Sequence, residues 1–417
     1  MNELPWKRTF FFAFAAQFLS IVGISFATPF LPFFVSDLGV TDPSRQAFWA
    51  GIVMASGGLT FALFAPVWGA MADKFGRKSM VCRAMLGAAV SVFLMSFARS
   101  VPQMILFRIL QGMFSGTLAA SIALVASVTP LRRSGFALGM MQAAVFVGNA
   151  FGPLIGGMMA DNFGYRNSFR IGALLTFLGG VLVLLGTRER FTRPDPKMII
   201  PNSGFRAIFL LPGFLIGVVI LFSVRLGNSI ANPSFPLIVR DILGGAVDNL
   251  NSITGMIIAA AAIAAACASA VLGYAGDQFG RKRILVGCCS VACVASVWHY
   301  YAGSIPTLMV ARTLFGFSVA GMLPAANSLI HEVVDPRSIG KAYGLATSIS
   351  MLGSAVGPTI GGTLAMQAGL RVPFLVTGLA QLLLIVLIMM FMRKRQPPEI
   401  SLSESALPVN KSDELLP

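Results

Sequence analysis

Gly69 to Lys78 reads Gly-Ala-Met-Ala-Asp-Lys-Phe-Gly-Arg-Lys, and Gly273 to Lys282 reads Gly-Tyr-Ala-Gly-Asp-Gln-Phe-Gly-Arg-Lys. Gly69, Asp73, Phe75, Gly76, Arg77 and Lys78 therefore return, 204 positions later, as Gly273, Asp277, Phe279, Gly280, Arg281 and Lys282. Each copy is a charged turn between two long apolar runs. A chain that repeats its least hydrophobic feature at half its own length is built from two copies of one unit.

The surroundings of the two turns define the solvent. The 417 residues are 56% apolar and 11% charged, with a mean hydropathy of +0.80, which excludes an ordinary soluble domain. About 20 apolar residues cross the roughly 30 Å of bilayer hydrocarbon as a helix. Runs of that length lie at about 10–36, 48–70, 80–98, 103–128, 137–160 and 169–187, and again at 207–236, 252–272, 284–302, 305–330, 341–365 and 372–392. Short strands of alternating polarity, the sign of a membrane barrel, are not the pattern here. The expected fold class is all-α integral membrane, with twelve transmembrane helices in two six-helix pseudo-repeats. Residues 1–187 form the first half, 188–206 a basic cytoplasmic linker, 207–392 the second half, and 393–417 a tail expected to be disordered. The first apolar run lacks a small-residue cleavage pattern and reads as a retained span.

The net charge of +15 would point to nucleic acid in a soluble protein. Here most of the 31 Lys and Arg fall on one side once the spans are laid out, which is the positive-inside bias and puts both termini in the cytoplasm. The partners expected are lipid bilayer and a small molecule, not nucleic acid. Cys82, Cys267, Cys288, Cys289 and Cys293 show no metal-ligand spacing and read as small core residues; no metal or cofactor is expected.

The repeat reaches beyond the turns. Gly23, Ser25, Ala27, Pro29, Pro32 and Asp37 match Gly227, Ser229, Ala231, Pro233, Pro236 and Asp241, and Arg108 and Gly112 match Arg312 and Gly316. After a one-residue shift, Gly152-Pro153 and Gly156-Gly157 match Gly357-Pro358 and Gly361-Gly362, and Gly164-Tyr-Arg166 matches Gly369-Leu-Arg371. Parallel repeats of this kind place a substrate site at their interface near the midplane.

With these residues assembled, the chain resembles the major facilitator superfamily, and within it the twelve-helix drug:proton antiporter branch that includes bacterial multidrug-resistance exporters. The two turns resemble the family's conformational latch, which implies that Gly69, Asp73, Gly76, Arg77, Lys78, Gly273, Asp277, Gly280, Arg281 and Lys282 hold the halves together in the outward-open state. Arg108, Gln111 and Gly112 match a motif whose buried arginine is associated with proton coupling. Gly148, Gly152, Pro153, Gly156 and Gly157 match the antiporter motif of exporters. Trp6-Lys7-Arg8, Pro29-Phe30-Leu31-Pro32 and Asp37-Leu-Gly-Val40 also resemble the opening of those exporters. The resemblance implies proton-coupled efflux of small amphipathic compounds by alternating access, by a monomeric, multi-pass protein of the bacterial inner membrane that is not an enzyme. No Walker A pattern or nucleophile triad is present.

The residue chemistry adds two points. None of the 16 Asp and Glu lies mid-span, so coupling would fall to Asp37, Asp73 or Glu332, or to charge on the substrate. His299 and His331 lie near span ends, where a lone histidine reads as interfacial. The spans that face the pore by family analogy supply Gln17, Arg225, Asn228, Asn232 and Asn327 as cavity residues amid Phe and Met. Arg225 has Ile21 as its repeat counterpart, a break that assigns it to an anionic group on the cargo. Arg312 loses the glutamine that accompanies Arg108, Phe315 standing in its place, and reads as structural. A dedicated exporter of one endogenous metabolite such as a siderophore, and an uptake carrier or facilitator, remain open alternatives.

Overall fold

The computed structural model describes residues 6–189, 211–245, 247–334 and 339–391. The expected linker from residue 190 and the expected tail lie outside the described residues, as do the side chains of Asp73, Asp277, His331 and Glu332.

Helices run up and down across the bundle in chain order: α1 Trp6–Ser25, α2 Leu31–Asp37, α3 Pro43–Phe75, α4 Arg77–Met95, α5 Val101–Phe114, α6 Thr117–Val128 and α7 Leu131–Gly186 in the first half. The second half holds α8 Pro212–Ile230, α9 Phe235–Ile242, α10 Leu250–Phe279, α11 Arg281–Tyr301, α12 Ile305–Val333, α13 Ile339–Ala368 and α14 Val372–Phe391. Among the described residues, eleven helical stretches are long and apolar enough to cross a membrane. One of these, Arg133–Gly186, has 54 residues and extends over roughly 80 Å at helical rise, enough for two crossings. It folds back at Gly164, whose φ of 77° and ψ of 164° belong to a region that only glycine occupies at low cost. Counted this way the bundle has about twelve crossings.

Proline and glycine decide where spans break. Pro29 and Pro32 separate α1 from α2, and Pro233 and Pro236 lie where α8 gives way to α9, so the repeat is kept. The fourth span behaves differently. Expected as one helix over 103–128, it breaks at Ser115–Gly116, where Gly116 has a φ of 115°; its counterpart Ala320 lies within the unbroken α12.

The turn arginines repeat in structure as well as in sequence. Arg166 donates from Nη1 to the Ser96 carbonyl at the end of α4, and Arg371 donates from Nη1 to the Tyr300 and Ala302 carbonyls at the end of α11. Each guanidinium thereby satisfies carbonyls that a helix C-terminus leaves without an intrahelical partner.

Two ends of the bundle can be distinguished. The basic end carries the turns at Gly76 and Gly280; the far end carries Asp37, Gly164 and Ser304. At the far end an apolar core joins the halves, with Phe30, Phe33 and Ala47 packed into one cluster with Phe235, Leu237 and Ile238.

Candidate functional site

Glycines on the four helices between the halves, α3, α7, α10 and α13, record how the halves sit. Gly51 lies against the Pro358 carbonyl and Gly255 against the Pro153 carbonyl, the same contact made once by each half. Gly157 meets the Asn251 carbonyl and Gly362 meets Ala47 and Phe48, another symmetric pair. All four are cross-half approaches too close for a side chain, and all lie toward the far end. Toward the basic end, Gly69, Gly135, Gly139, Gly273, Gly276 and Gly344 have no atom of the described residues within 4 Å of where a side chain would begin. The halves form a V, shut at the far end and apart at the basic end.

Of the antiporter-motif glycines only Gly157 reaches across the halves; the others pack helices tightly within one half. On α7, a Cβ on Gly148 would meet Ile21, on Gly152 Ser25, and on Gly156 the Phe26 carbonyl. Gly353, Gly357 and Gly361 of α13 do the same against Phe222, Ser229 and Ile230 of α8. Small residues four apart let backbones touch, and dispersion between close backbones holds helices in lipid where the hydrophobic effect cannot.

A carboxylate finishes the closure. Asp161, at the far end of the α7 span, accepts from the Asn251 backbone N–H at 3.1 Å and Nδ2 at 2.8 Å, and from the Ser252 N–H at 2.7 Å and Oγ at 2.5 Å. These donors lie in the first turn of α10, in the other half, where an anion also meets the positive end of the helix dipole. Tyr165 shares the contact through Asn251, and Arg240 donates across the halves to Gln46 at 3.1 Å. The sequence reading passed over Asp161. The signal available was a break in the repeat, since its counterpart is Met366.

Behind the closed contact lies a cavity of about 510 Å³, within the range of small-molecule sites. Both halves line it: Ile24, Met54, Gly57 and Phe61, then Arg108, Gln111, Gly112 and Ser115 from the first, and Arg225, Asn228, Ser229, Asn232, Val319 and Leu323 from the second. The break at Ser115–Gly116 falls on this wall, where irregular backbone in a membrane protein borders a cavity. Of the expected cavity residues, Arg225, Asn228 and Asn232 are present, and Arg108, Gln111 and Gly112 join them. Gln17 and Asn327 are not on its lining. Gln17 shares a face of α1 with Ile24 but lies two turns nearer the basic end, wholly buried in the first half; Asn327 is one turn beyond Leu323 in the same direction.

Arg108 is 8% exposed and donates from Nη1 to Gln111 Oε1 at 2.5 Å, while its Nε has no partner. Neither Arg225 Nε nor Asn228 Oδ1 has one either. Among the described residues no carboxylate lines the cavity. Arg312 is absent from the lining and lies over the Phe235 ring at 4.5 Å and the Phe315 ring at 5.8 Å. The phenylalanine that replaces glutamine in the second repeat thus exchanges a hydrogen bond for a cation–π contact. His299, read as interfacial, is 1% exposed, stacked on Phe374 at 5.1 Å with Nδ1 2.6 Å from the Ala295 carbonyl.

The first charged turn is engaged within its own half. Glu189, which the sequence reading did not single out, accepts from the backbone N–H groups of Arg77 at 3.0 Å and Lys78 at 2.8 Å, capping α4. Lys78 Nζ donates to the Thr187 carbonyl and Arg77 Nη1 to the Ala123 carbonyl. Gly76 turns the chain at a φ of 88° and Gly280 at 90°.

Two repeated six-helix halves around a central cavity, open toward one end, define a membrane transporter of the two-half carrier class. A family profile for the Major Facilitator Superfamily matches residues 13–223 and 217–412, and the chain belongs to that family. It is 31% identical over 380 residues to the "Multi-drug resistance efflux pump PmrA" of Streptococcus pneumoniae, spanning 91% of this chain and 94% of that one. It is 32% identical over 382 residues to the "Multidrug resistance protein MdtG" of Serratia proteamaculans, spanning 91% and 92%. In three dimensions it is similar to a bacterial homologue of the human lysosomal transporter Spinster in an inward-facing, occupied conformation, with a TM-score of 0.79, 16% sequence identity, and coverage of 95% of this chain and 100% of the other.

Proposed function

We propose that the transporter exports small amphipathic compounds from the cytoplasm in exchange for protons, by alternating access, in a bacterial inner membrane with both termini cytoplasmic. The observation that carries this reading is the V of the two halves, with the cavity at its apex and glycine-to-backbone contacts shutting only the far end. Assigning the basic end to the cytoplasm by the positive-inside rule makes this the inward-open state, able to load cargo from the cytoplasm. Similarity to efflux pumps along nine-tenths of the chain supports the outward direction. The latch then acts in the other state: Gly69 and Gly273 have room around them here, and closure of the basic end brings their helices together.

Everted membrane vesicles with an acidified lumen test the reading. A fluorescent amphipathic compound added outside accumulates in the lumen, and a protonophore abolishes the accumulation. Accumulation that survives the protonophore would refute proton exchange, and flux only out of the lumen would refute export. A dedicated exporter of one endogenous metabolite is the second reading, favoured by Arg225 as a single fixed anchor. A narrow cargo range across chemically varied compounds would select it.

A further inference from the structure

We propose that the central cavity is built for organic anions, whose oxyanion head binds between Arg108 of the first half and Arg225 of the second. The inference rests on the reading of that cavity as the cargo site and names the class of cargo. Two guanidiniums line one cavity of about 510 Å³, and among the described residues no carboxylate lines it with them. Arg108 is 92% shielded by the protein and keeps an Nε without a partner, its one side-chain bond going to neutral Gln111. The Arg225 guanidinium makes no hydrogen bond or ion pair among the described residues, and its Nε is buried.

An arginine in a membrane span is costly unless something neutralises it. Elsewhere in this chain the cost is met locally. Arg312 lies on two aromatic rings, Arg83 stacks 3.6 Å above the Trp68 ring although its Nε and Nη1 find no hydrogen-bond partner, and Arg166 and Arg371 hold helix carbonyls. The two cavity arginines are not compensated in these ways, and Arg225 is a departure from the repeat, where Ile21 stands. Guanidinium is the side chain suited to a carboxylate, sulfonate or phosphonate, offering paired N–H groups in one plane. The rest of the wall, including Ile24, Met54, Phe61 and Val319, takes the apolar body of the molecule.

The clamp also joins the halves. One anion held from both sides adds attraction across the apex that a neutral compound lacks. The same field opposes a cation, so the cavity selects by charge sign before shape.

Binding to the purified full-length protein tests the clamp independently of any flux, using three compounds with one ring system: naphthalene-2-sulfonate, neutral naphthalene-2-sulfonamide, and the cation (2-naphthylmethyl)trimethylammonium. The sulfonate is expected to bind about tenfold to a hundredfold more tightly than the sulfonamide, as one or two charge-assisted hydrogen bonds dictate, and the cation least of all. Arg225→Gln and Arg108→Gln should each shrink the sulfonate's advantage while sparing sulfonamide binding, and Arg225→Lys should recover part of it. Retained sulfonamide binding shows that a variant is folded. Equal affinity for sulfonate and sulfonamide, no sulfonate binding, or Arg→Gln variants that keep the full preference would overturn the proposal. Efflux of the neutral and cationic compounds with refusal of the anion would overturn it and leave the efflux reading standing, whereas tight sulfonate binding without flux would have the opposite meaning.

Discussion

Replacing Asp161 by alanine should loosen the far end without touching the cavity. The carboxylate holds four donors of Asn251 and Ser252 at the start of α10, and these bonds exist only while the halves meet there. An N-terminal cap contributes about 1–2 kcal/mol and a hydrogen bond to a charged group about 1.5–3 kcal/mol, but Asp161 is half-exposed and water replaces part of what is lost. We take about 2 kcal/mol for the clasp as a unit, a roughly thirtyfold fall in the ratio of far-end-closed to far-end-open molecules. Asp161→Asn keeps one acceptor oxygen and should lie between. Spin labels at Thr41→Cys and Gly303→Cys, both exposed and in opposite halves, report the separation by pulsed electron resonance in nanodiscs, with exposed Cys267 replaced by Ser. The wild type gives mainly the short distance, and Asp161→Ala adds a longer one. Identical distributions in a folded Asp161→Ala protein would show that backbone packing alone closes this end.

Three further substitutions follow from the same geometry. Gly156→Ala places a Cβ on the Phe26 carbonyl and should destabilise the protein by about 1–3 kcal/mol through overpacking, read as lower folded yield and thermal midpoint. Gly69→Ala meets nothing within 4 Å and should leave the thermal midpoint unchanged or slightly raised, yet slow turnover of labelled cargo in proteoliposomes because the other state draws the basic end together. Glu189→Gln keeps the shape of the α4 cap but loses its charge and one of the two acceptor oxygens that Arg77 and Lys78 use, costing about 1–2 kcal/mol in thermal unfolding with little change in cargo affinity.

Much of the fold was legible because lipid leaves a chain few options: every backbone group must be satisfied inside a helix, so apolar runs translate into spans. The repeat then paired Gly152 with Gly357 and Arg166 with Arg371, and the structure gives each pair the same job. The site was legible where the repeat fails. Arg225, which stands opposite Ile21 in the repeat, lines the cavity, and Arg312, whose repeat has Phe315 in place of Gln111, lies over that phenylalanine ring instead. Positions that depend on depth along a shared helix face were not legible, which is why Gln17 and Asn327 fall off the lining. Contacts between distant segments were hidden too. Nothing near Asp161 in sequence announces Asn251 and Ser252, and nothing near Glu189 announces the N–H groups of Arg77 and Lys78.

Reversibly locking the far end tests the central claim, that cargo crosses by opening the end shut here. Asp161→Cys and Ser252→Cys replace side chains already in contact, so a short bis-methanethiosulfonate can join them in a Cys267→Ser background. In proteoliposomes the joined protein should still bind cargo from the basic end but carry none across, with flux returning on reduction. Full flux with the crosslink in place would contradict the account.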